Sequence, residues 1–224
     1  MNFIESLVLG IVQGLTEFLP VSSSGHLVIF QRLFGIVSDN VAFEVIVHLG
    51  TLMSVVVVYY TDIIKMITRF FGGIFTGKVK SSYAGDYHFR LAVLVIIGTI
   101  PAVIAGLFFN DFFEDIFHSI KVVGVSLLIT AFVLFMTRFV KIDKRRLNLP
   151  RAVIVGIGQA LAIFPGISRS GTTISTSLFM KLPREEAARF SFLLSIPAIA
   201  GAAVLELTDF WEAGITWAQA GVLV

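Results

Sequence analysis

Four unbroken apolar blocks constrain the fold of this chain more than any other feature. They run over Phe43–Tyr60, Leu91–Phe109, Ser119–Thr137 and Phe190–Leu207. A helix of that length, rising about 1.5 Å per residue, is long enough to cross the roughly 30 Å apolar layer of a bilayer. We therefore predict an all-α integral membrane protein that crosses the bilayer several times. A fifth block begins near Trp217 and reaches Val224.

Composition supports this fold class and argues against a soluble domain, a nucleic-acid-binding protein and a disulfide-stabilised fold. Charged residues make up 14% of the sequence, against roughly 25% in soluble domains. The net charge is only +2, and the basic residues lie between apolar blocks, so we expect no nucleic-acid partner. Without cysteine the chain has no disulfide framework and no thiolate metal site. The opening MNFIESLVLG lacks a basic segment and a small-residue cleavage site, so we expect it to belong to the mature protein.

The charges between the blocks alternate in sign and predict a topology. Basic residues cluster in Thr61–Arg90, Arg138–Arg151 and Lys181–Arg189. The positive-inside rule places these segments in the cytoplasm. The alternate connections are acidic and are expected outside; their acidic residues are Asp111, Glu114, Asp115, Glu206, Asp209 and Glu212.

Two further apolar blocks, Ile4–Leu33 and Ala152–Met180, are broken near their centres by proline. Proline removes a helical hydrogen bond and drives the preceding residue out of the helical region. The second block has a basic segment at each end, so it must return to the side on which it started. We predict that both blocks form re-entrant helix–loop–helix hairpins.

The two broken blocks are related in sequence. GIVQGLTEFLPVSSSG (Gly10–Gly25) aligns without gaps on GIGQALAIFPGISRSG (Gly156–Gly171). The span after the first block runs inward and the span after the second runs outward. We therefore predict inverted-topology repeats, approximately 1–110 and 119–224, within one membrane domain covering 1–224. Inverted repeats with broken helices place their site at the midplane, where the loops meet.

Each broken block has a serine run followed by a second apolar segment that we predict to be a helix. Serine can cap a first helical turn, and we expect Ser22 and Ser170 to be caps. Free N–H groups and a partial positive charge at a helix N-terminus suit a phosphate. Two such termini with Arg169 between them would form a diphosphate cradle, since arginine binds phosphate bidentately.

Glu17, His26 and Arg169 are ionisable residues at intramembrane positions, which are functional candidates by default. Serine or histidine could attack phosphorus while a carboxylate moves a proton and arginine stabilises the phosphate oxygens. Alternatively, Glu17 and Arg169 form only a structural ion pair, and His26 is an interior histidine. Gln13 and Gln159 could be packing amides. We expect no site role for Glu44, His48, His88 or His118.

The motifs QGLTEFLPVSSSGH (Gln13–His26) and PGISRSGTTIS (Pro165–Ser175) resemble those of the undecaprenyl-diphosphate phosphatase family of the bacitracin-resistance type. Phe43–Gly50 and Phe190–Pro197 also resemble family segments. The resemblance implies that Glu17, Ser23, His26 and Arg169 are catalytic, with Ser23 and His26 alternative nucleophiles. Together with the loop chemistry it predicts substrate contacts from Gln13, Ser22, Ser24, Gly25, Ser168, Ser170 and Thr173.

The resemblance further implies an enzyme that removes the terminal phosphate of undecaprenyl diphosphate, recycles the lipid carrier for peptidoglycan and confers bacitracin resistance. Its site would open to the outer side of the plasma (inner) membrane. It would need a divalent cation, Mg²⁺ or Ca²⁺, which Glu17 and diphosphate oxygens could hold. A homodimer is an open possibility. Because family members usually continue through two final helices, we expect the second repeat to be truncated.

Two other functions share parts of this pattern. Inverted repeats with broken helices are equally typical of secondary transporters, so a transporter or flippase of a prenyl phosphate lipid is the alternative. The phosphatidic-acid-phosphatase type also uses SGH and SR elements. Its second motif needs histidine at position 175, where this chain has Ser175, and its Lys-x₆-Arg-Pro element is missing.

Overall fold

The computed structural model of the chain describes residues 2–36, 41–108, 119–143 and 145–212. These ranges contain ten helices and no strand. The helices are α1 (Phe3–Thr16), α2 (Ser23–Leu33), α3 (Val41–Val58), α4 (Tyr60–Phe75), α5 (Val79–Gly85), α6 (Tyr87–Phe108), α7 (Ile120–Thr137), α8 (Leu149–Leu161), α9 (Arg169–Phe179) and α10 (Arg184–Glu212). The predicted all-α fold class is confirmed for the described residues.

Three of these helices are long and apolar enough to cross a membrane. They are α6, α7 and the Arg184–Leu205 part of α10. Their large apolar side chains point outward at many positions, including Ile100 on α6 and Phe132 on α7. The spans predicted over Leu91–Phe109, Ser119–Thr137 and Phe190–Leu207 fall on these helices. Phe109 and the block near Trp217 lie outside the described residues.

The span predicted over Phe43–Tyr60 is more complex. Helix α3 ends at Val58, and α4 starts at Tyr60 with its axis bent by 78° from that of α3. The two together could form a fourth span. The basic segment Thr61–Arg90, expected to connect two spans, is largely helical, because α4, α5 and the start of α6 occupy it. Between its basic residues this segment also has apolar residues at helical spacing, and these pack against α6.

Both broken blocks are interrupted where the sequence predicts. Helix α1 ends before Glu17 and α2 begins at Ser23, while α8 ends before Ala162 and α9 begins at Arg169. The turns use left-handed backbone at Ser22 (φ 67°) and Gly166 (φ 86°). In each block the two helices pack against each other.

A buried core joins α6, α8 and α10 and fixes the second loop in place. Leu94, Val155 and Phe190 belong to one apolar cluster and are each at most 1% exposed. Helices α6 and α8 cross at close range, because a Cβ atom on Gly156 would lie 2.2 Å from the carbonyl oxygen of Gly98. Small residues allow such backbone contact between membrane helices. The crossing holds the C-terminal half of α8, and therefore the loop that follows it.

Candidate active site

The two loops between the broken helices touch each other. Ser170 Oγ, on α9, donates a hydrogen bond to the Leu19 carbonyl in the first loop at 3.0 Å. A Cβ atom on Gly25 would lie 3.2 Å from Cα of Gly166 in the second loop. Residues far apart in the sequence, on α2 and on the loop before α9, therefore form one polar region.

Glu17 lies at the centre of this region and is 7% exposed. Its Oε2 accepts hydrogen bonds from Gln13 Nε2 at 2.9 Å and from Ser23 Oγ at 2.5 Å. Its Oε1 accepts a hydrogen bond from Arg169 Nη2, which forms an ion pair between the two loops. The end of α1 and the first residues of α2 and α9 thus converge on one carboxylate.

Arg169 keeps donor capacity beyond its bond to Glu17. Its Nη1 is buried and has no hydrogen-bond partner among the described residues. A buried donor without a partner costs about 1–3 kcal/mol, and more when it is charged. The ion pair with Glu17 therefore leaves the Nη1 edge of the guanidinium free to donate to a phosphate oxygen.

Ser22 and Ser168 are the N-caps of α2 and α9, and they occupy aligned positions of the sequence repeat. Ser22 Oγ accepts from the Gly25 amide at 3.2 Å, and Ser168 Oγ accepts from the Gly171 amide at 3.0 Å. The prediction that Ser22 is a cap is confirmed. For Ser170 it was wrong, because Ser168 holds the cap position.

The serines two places further on lie beside these caps. Ser24 Oγ is 3.3 Å from Ser22 Oγ, and Ser170 Oγ is 3.2 Å from Ser168 Oγ. Ser23, between the two in the first loop, faces Glu17 instead. The two loops thus share one arrangement of cap and neighbouring hydroxyl. They differ at the aligned pair Ser23 and Arg169.

His26 lies one turn into α2. Its Nδ1 is 2.7 Å from the Ser22 carbonyl, so this nitrogen must be the donor. Its Nε2 forms no hydrogen bond within the described residues and in the neutral ring carries a lone pair. The structure brings together Gln13, Glu17, Ser23 and Arg169, but it does not join His26 to them by a hydrogen bond.

Thr173 is fully buried between α9 and α10. Its Oγ1 lies 2.6 Å from Ser191 Oγ and donates to the Arg169 carbonyl at 2.8 Å. The hydroxyl therefore ties the first turn of α9 to α10. Contact between Thr173 and phosphate stays a prediction. To bind phosphate, the hydroxyl would have to exchange its hydrogen bond to Ser191 for one to a phosphate oxygen.

Two residues at the site were not found from the sequence. His48 Nε2 lies 3.8 Å from Glu17 Oε2, while its Nδ1 faces the Glu44 carbonyl at 2.7 Å. His48, for which we expect no site role from the sequence, therefore lies beside the central carboxylate of the site. Its place within the family-like segment Phe43–Gly50 was the available signal.

The other residue is Thr130 on α7. Its hydroxyl accepts from the Ser168 amide at 3.1 Å and donates to the Gly166 carbonyl at 3.3 Å. It therefore supports the second loop from outside the broken block. A lone threonine inside an apolar span gives no sequence signal for such a role.

A divalent cation would find only part of its ligand set in this chain. No group of three or more histidine, aspartate and glutamate side chains suited to a metal occurs in the part of the chain that the structure describes. Glu17 offers hard carboxylate oxygens beside an unpaired Arg169 donor. Mg²⁺ is commonly held by one or two carboxylates together with substrate phosphates. A cation here would therefore need oxygen ligands in addition to Glu17, and a diphosphate could supply them.

Comparison with known proteins identifies the family. The family model described as bacitracin resistance protein BacA matches residues 6–224. This chain belongs to the BacA family. The family resemblance predicted from the loop motifs Gln13–His26 and Pro165–Ser175 is thereby confirmed.

Relatives of high similarity carry one name. The chain is 48% identical to an undecaprenyl-diphosphatase of Korarchaeum cryptofilum over 92% of this chain and 78% of that protein. It is 46% identical to an undecaprenyl-diphosphatase of Alkaliphilus metalliredigens over 100% of this chain and 85% of that protein. An undecaprenyl-diphosphatase of Carboxydothermus hydrogenoformans is 45% identical over 95% of this chain and 76% of that protein.

Proposed function

We propose that this BacA-family chain hydrolyses undecaprenyl diphosphate to undecaprenyl phosphate and inorganic phosphate. The observation that carries the proposal is the buried contact between the two loops, in which Glu17 binds both Ser23 and Arg169. A hydroxyl, a proton acceptor and a cation with a free donor are the groups that phosphoanhydride cleavage requires. The identity of the substrate is inferred from the relatives, which are named undecaprenyl-diphosphatase.

Ser23 is the nucleophile that this geometry favours. Its Oγ attacks the terminal phosphorus, its proton passes to Glu17 Oε2 at 2.5 Å, and the P–O bond to undecaprenyl phosphate breaks. Arg169 Nη1 and the N-termini of α2 and α9 stabilise the phosphate oxygens. Water then attacks the phosphorus, the bond between Ser23 Oγ and phosphorus breaks, Glu17 returns the proton to Ser23 Oγ, and inorganic phosphate leaves. The lone pair on His26 Nε2 makes it the candidate base for that second step.

Mg²⁺ or Ca²⁺ is part of the proposal. Glu17 would supply the protein ligand and the diphosphate would supply further oxygens. When bound, the cation would neutralise charge on the diphosphate.

Membrane placement is proposed from the sequence pattern. The broken helices α1–α2 and α8–α9 would form re-entrant hairpins in inverted repeats over approximately 1–110 and 119–224. The basic segments would face the cytoplasm, and the site would open to the outer side of the plasma (inner) membrane. There the enzyme would recycle the lipid carrier for peptidoglycan and confer bacitracin resistance. A homodimer is also proposed, although the described residues of this site all come from one chain.

A secondary transporter or flippase is the second candidate. It is favoured by one observation, the meeting of two broken helices at a shared polar region, which is typical of transporters. Ser23 and Glu17 separate the candidates, because transport of a prenyl phosphate needs no hydroxyl hydrogen-bonded to a carboxylate. Lipid movement without phosphate release would support the transporter.

The test is phosphate release from farnesyl or undecaprenyl diphosphate in detergent, with and without Mg²⁺ or Ca²⁺. Glu17→Gln, His26→Ala and Arg169→Ala should each lower kcat/KM at least about 100-fold, which corresponds to about 2.7 kcal/mol of transition-state stabilisation. Thr16→Ser, next to Glu17 but half-buried and bonded to its own helix, is the control and should keep full activity. A folded wild-type protein that releases no phosphate would overturn the proposal.

A further inference from the structure

Helix α4 is separate from the proposed active site and has an unusual position. The chain bends by 78° at Tyr59, between α3 and α4. If α3 crosses the bilayer, α4 must therefore run at a steep angle to the membrane normal. In that orientation the 16 residues of α4 add little depth along the membrane normal, so α3 supplies nearly all of any fourth span that the pair forms.

The side chains of α4 divide its surface into three sectors. One sector packs against α6 and contains Met66, Phe70 and Gly73; the rings of Phe70 and Phe89 stack with centroids 5.8 Å apart. A second sector is apolar but exposed. Its members are Tyr60, Ile64, Ile67, Phe71 and Phe75, between 49% and 84% exposed. These positions recur at helical spacing, and we call them the apolar stripe.

The third sector is polar and basic. Lys65 and Arg69 are exposed on it, and so are Thr68 and Gly72. Arg69 Nε lies 3.5 Å from Asp86 Oδ2, whereas Lys65 has no ion-pair partner among the described residues. Two more exposed lysines, Lys78 and Lys80, follow α4 directly. At about 100° per residue, this sector lies on the opposite side of the apolar stripe from the packed sector.

We propose that α4 is an interfacial helix that docks on the surface of an anionic bilayer. The apolar stripe would enter the boundary between headgroups and acyl chains, and Lys65, Lys78 and Lys80 would bind anionic headgroups. An exposed apolar stripe beside lysines is the pattern of helices that lie in the membrane plane. Basic residues near an anionic bilayer surface are attracted to it.

Charge selects the bilayer over a second copy of the chain. A symmetric pairing of two α4 helices would bring their Lys65 and Arg69 side chains close to one another at the edge of the contact. Like charges so placed repel, whereas anionic headgroups attract all of them. The apolar stripe also lies beside the packed sector, and α6, against which that sector packs, exposes apolar side chains of its own, such as Ile100.

Spin labels can test this directly, because the chain contains no cysteine and every introduced thiol is unique. We would label Ile67→Cys and its polar-sector neighbour Thr68→Cys in vesicles of phosphatidylcholine and phosphatidylglycerol. The label at 67 should be several-fold more accessible to oxygen than to a water-soluble nickel chelate, and the label at 68 should show the reverse. Equal access of both labels to the chelate would overturn the proposal.

The second-copy alternative has its own signature in the same experiment. A label at 67 that is shielded from both reagents, with spin–spin coupling that disappears on dilution with unlabelled protein, would show that another chain covers the apolar stripe. That outcome would also overturn the proposal. Ile67→Cys lies far in sequence from the loop residues, so phosphate release by the labelled protein reports separately on the proposed function.

The anionic requirement needs a charge test. In the Ile67→Cys background, Lys65→Glu with Lys78→Glu and Lys80→Glu should lower the oxygen-to-chelate ratio several-fold in phosphatidylglycerol vesicles. The matched variant with arginine at the same three positions should keep the original ratio. A ratio that is the same for both variants, and the same with and without phosphatidylglycerol, would remove the headgroup part of the proposal.

Discussion

The first and second loops of the site have the same framework but different chemistry. Ser22 and Ser168 cap the following helices in the same way, and each has a second hydroxyl within about 3.3 Å. At the next aligned position the first loop has Ser23 and the second has Arg169. Where the first loop has Glu17, the second has Ile163. One repeated scaffold thus presents a hydroxyl and a carboxylate in the first loop and a cation in the second.

Ser23→Ala tests the chemical half of this comparison and should have the largest effect. Loss of the nucleophile should lower kcat about 1,000-fold, or about 4 kcal/mol. Ser22→Ala is the matched comparison, since it removes a cap and a predicted substrate contact but not the nucleophile, and it should lose far less activity. Phosphate release and thermal unfolding would be measured for both. Equal activity losses in the two variants would show that Ser23 is structural.

Gly156→Ala tests the packing half, with Gly10→Ala as its aligned partner. A methyl group at Gly156 would lie 2.2 Å from the Gly98 carbonyl oxygen, whereas nothing lies within 4 Å of one at Gly10. Overpacking costs about 1–3 kcal/mol or more when backbone must move. Gly156→Ala should therefore unfold at clearly lower temperature in detergent, and Gly10→Ala should unfold at the same temperature or higher. Equal stability of the two variants would contradict the close crossing of α6 and α8.

Substitution of the two aligned glutamines should have different effects: at Gln159 on stability, and at Gln13 on kcat. Gln13 donates to Glu17, while both amide atoms of Gln159 are buried without a partner among the described residues. Gln159→Met should be neutral or stabilising, because removing an unpaired buried amide recovers about 1–3 kcal/mol of desolvation. Gln13→Met should lower kcat about tenfold, or about 1.4 kcal/mol, by releasing Glu17. Thermal unfolding and phosphate release on both variants decide between this result and a shared packing role.

Glycine at the two caps should give the smallest difference. Ser22 has left-handed backbone with φ 67°, whereas Ser168 is extended with φ −71°. Replacing a cap serine by glycine costs only a few tenths of a kcal/mol, and at a positive φ the relief of backbone strain opposes that cost. Ser22→Gly should therefore be at least as stable as wild type, and Ser168→Gly slightly less stable. The reverse order in chemical denaturation would contradict the assigned backbone conformations.

Local signals in the sequence were sufficient for much of the fold. Apolar length predicted the helices that could cross a bilayer, and proline and serine predicted both helix breaks. These features act within a few residues, through hydrogen-bond loss and capping. Helix α4 was not predicted, because its basic residues indicated a connection between spans. Its apolar residues are buried only against the surface of α6, and neither charge nor proximity in the sequence predicts that packing.

Apolar length and the two loop motifs are enough to predict a helical membrane protein of the BacA family, with two related polar breaks that carry Glu17, Ser23 and Arg169. They do not predict which side chains around these breaks come into contact. The Arg169 bond to Glu17, the approach of His48 and the support from Thr130 all join residues from different helices. Such contacts depend on how closely helices cross, as at Gly98 and Gly156, and no local pattern encodes a crossing distance.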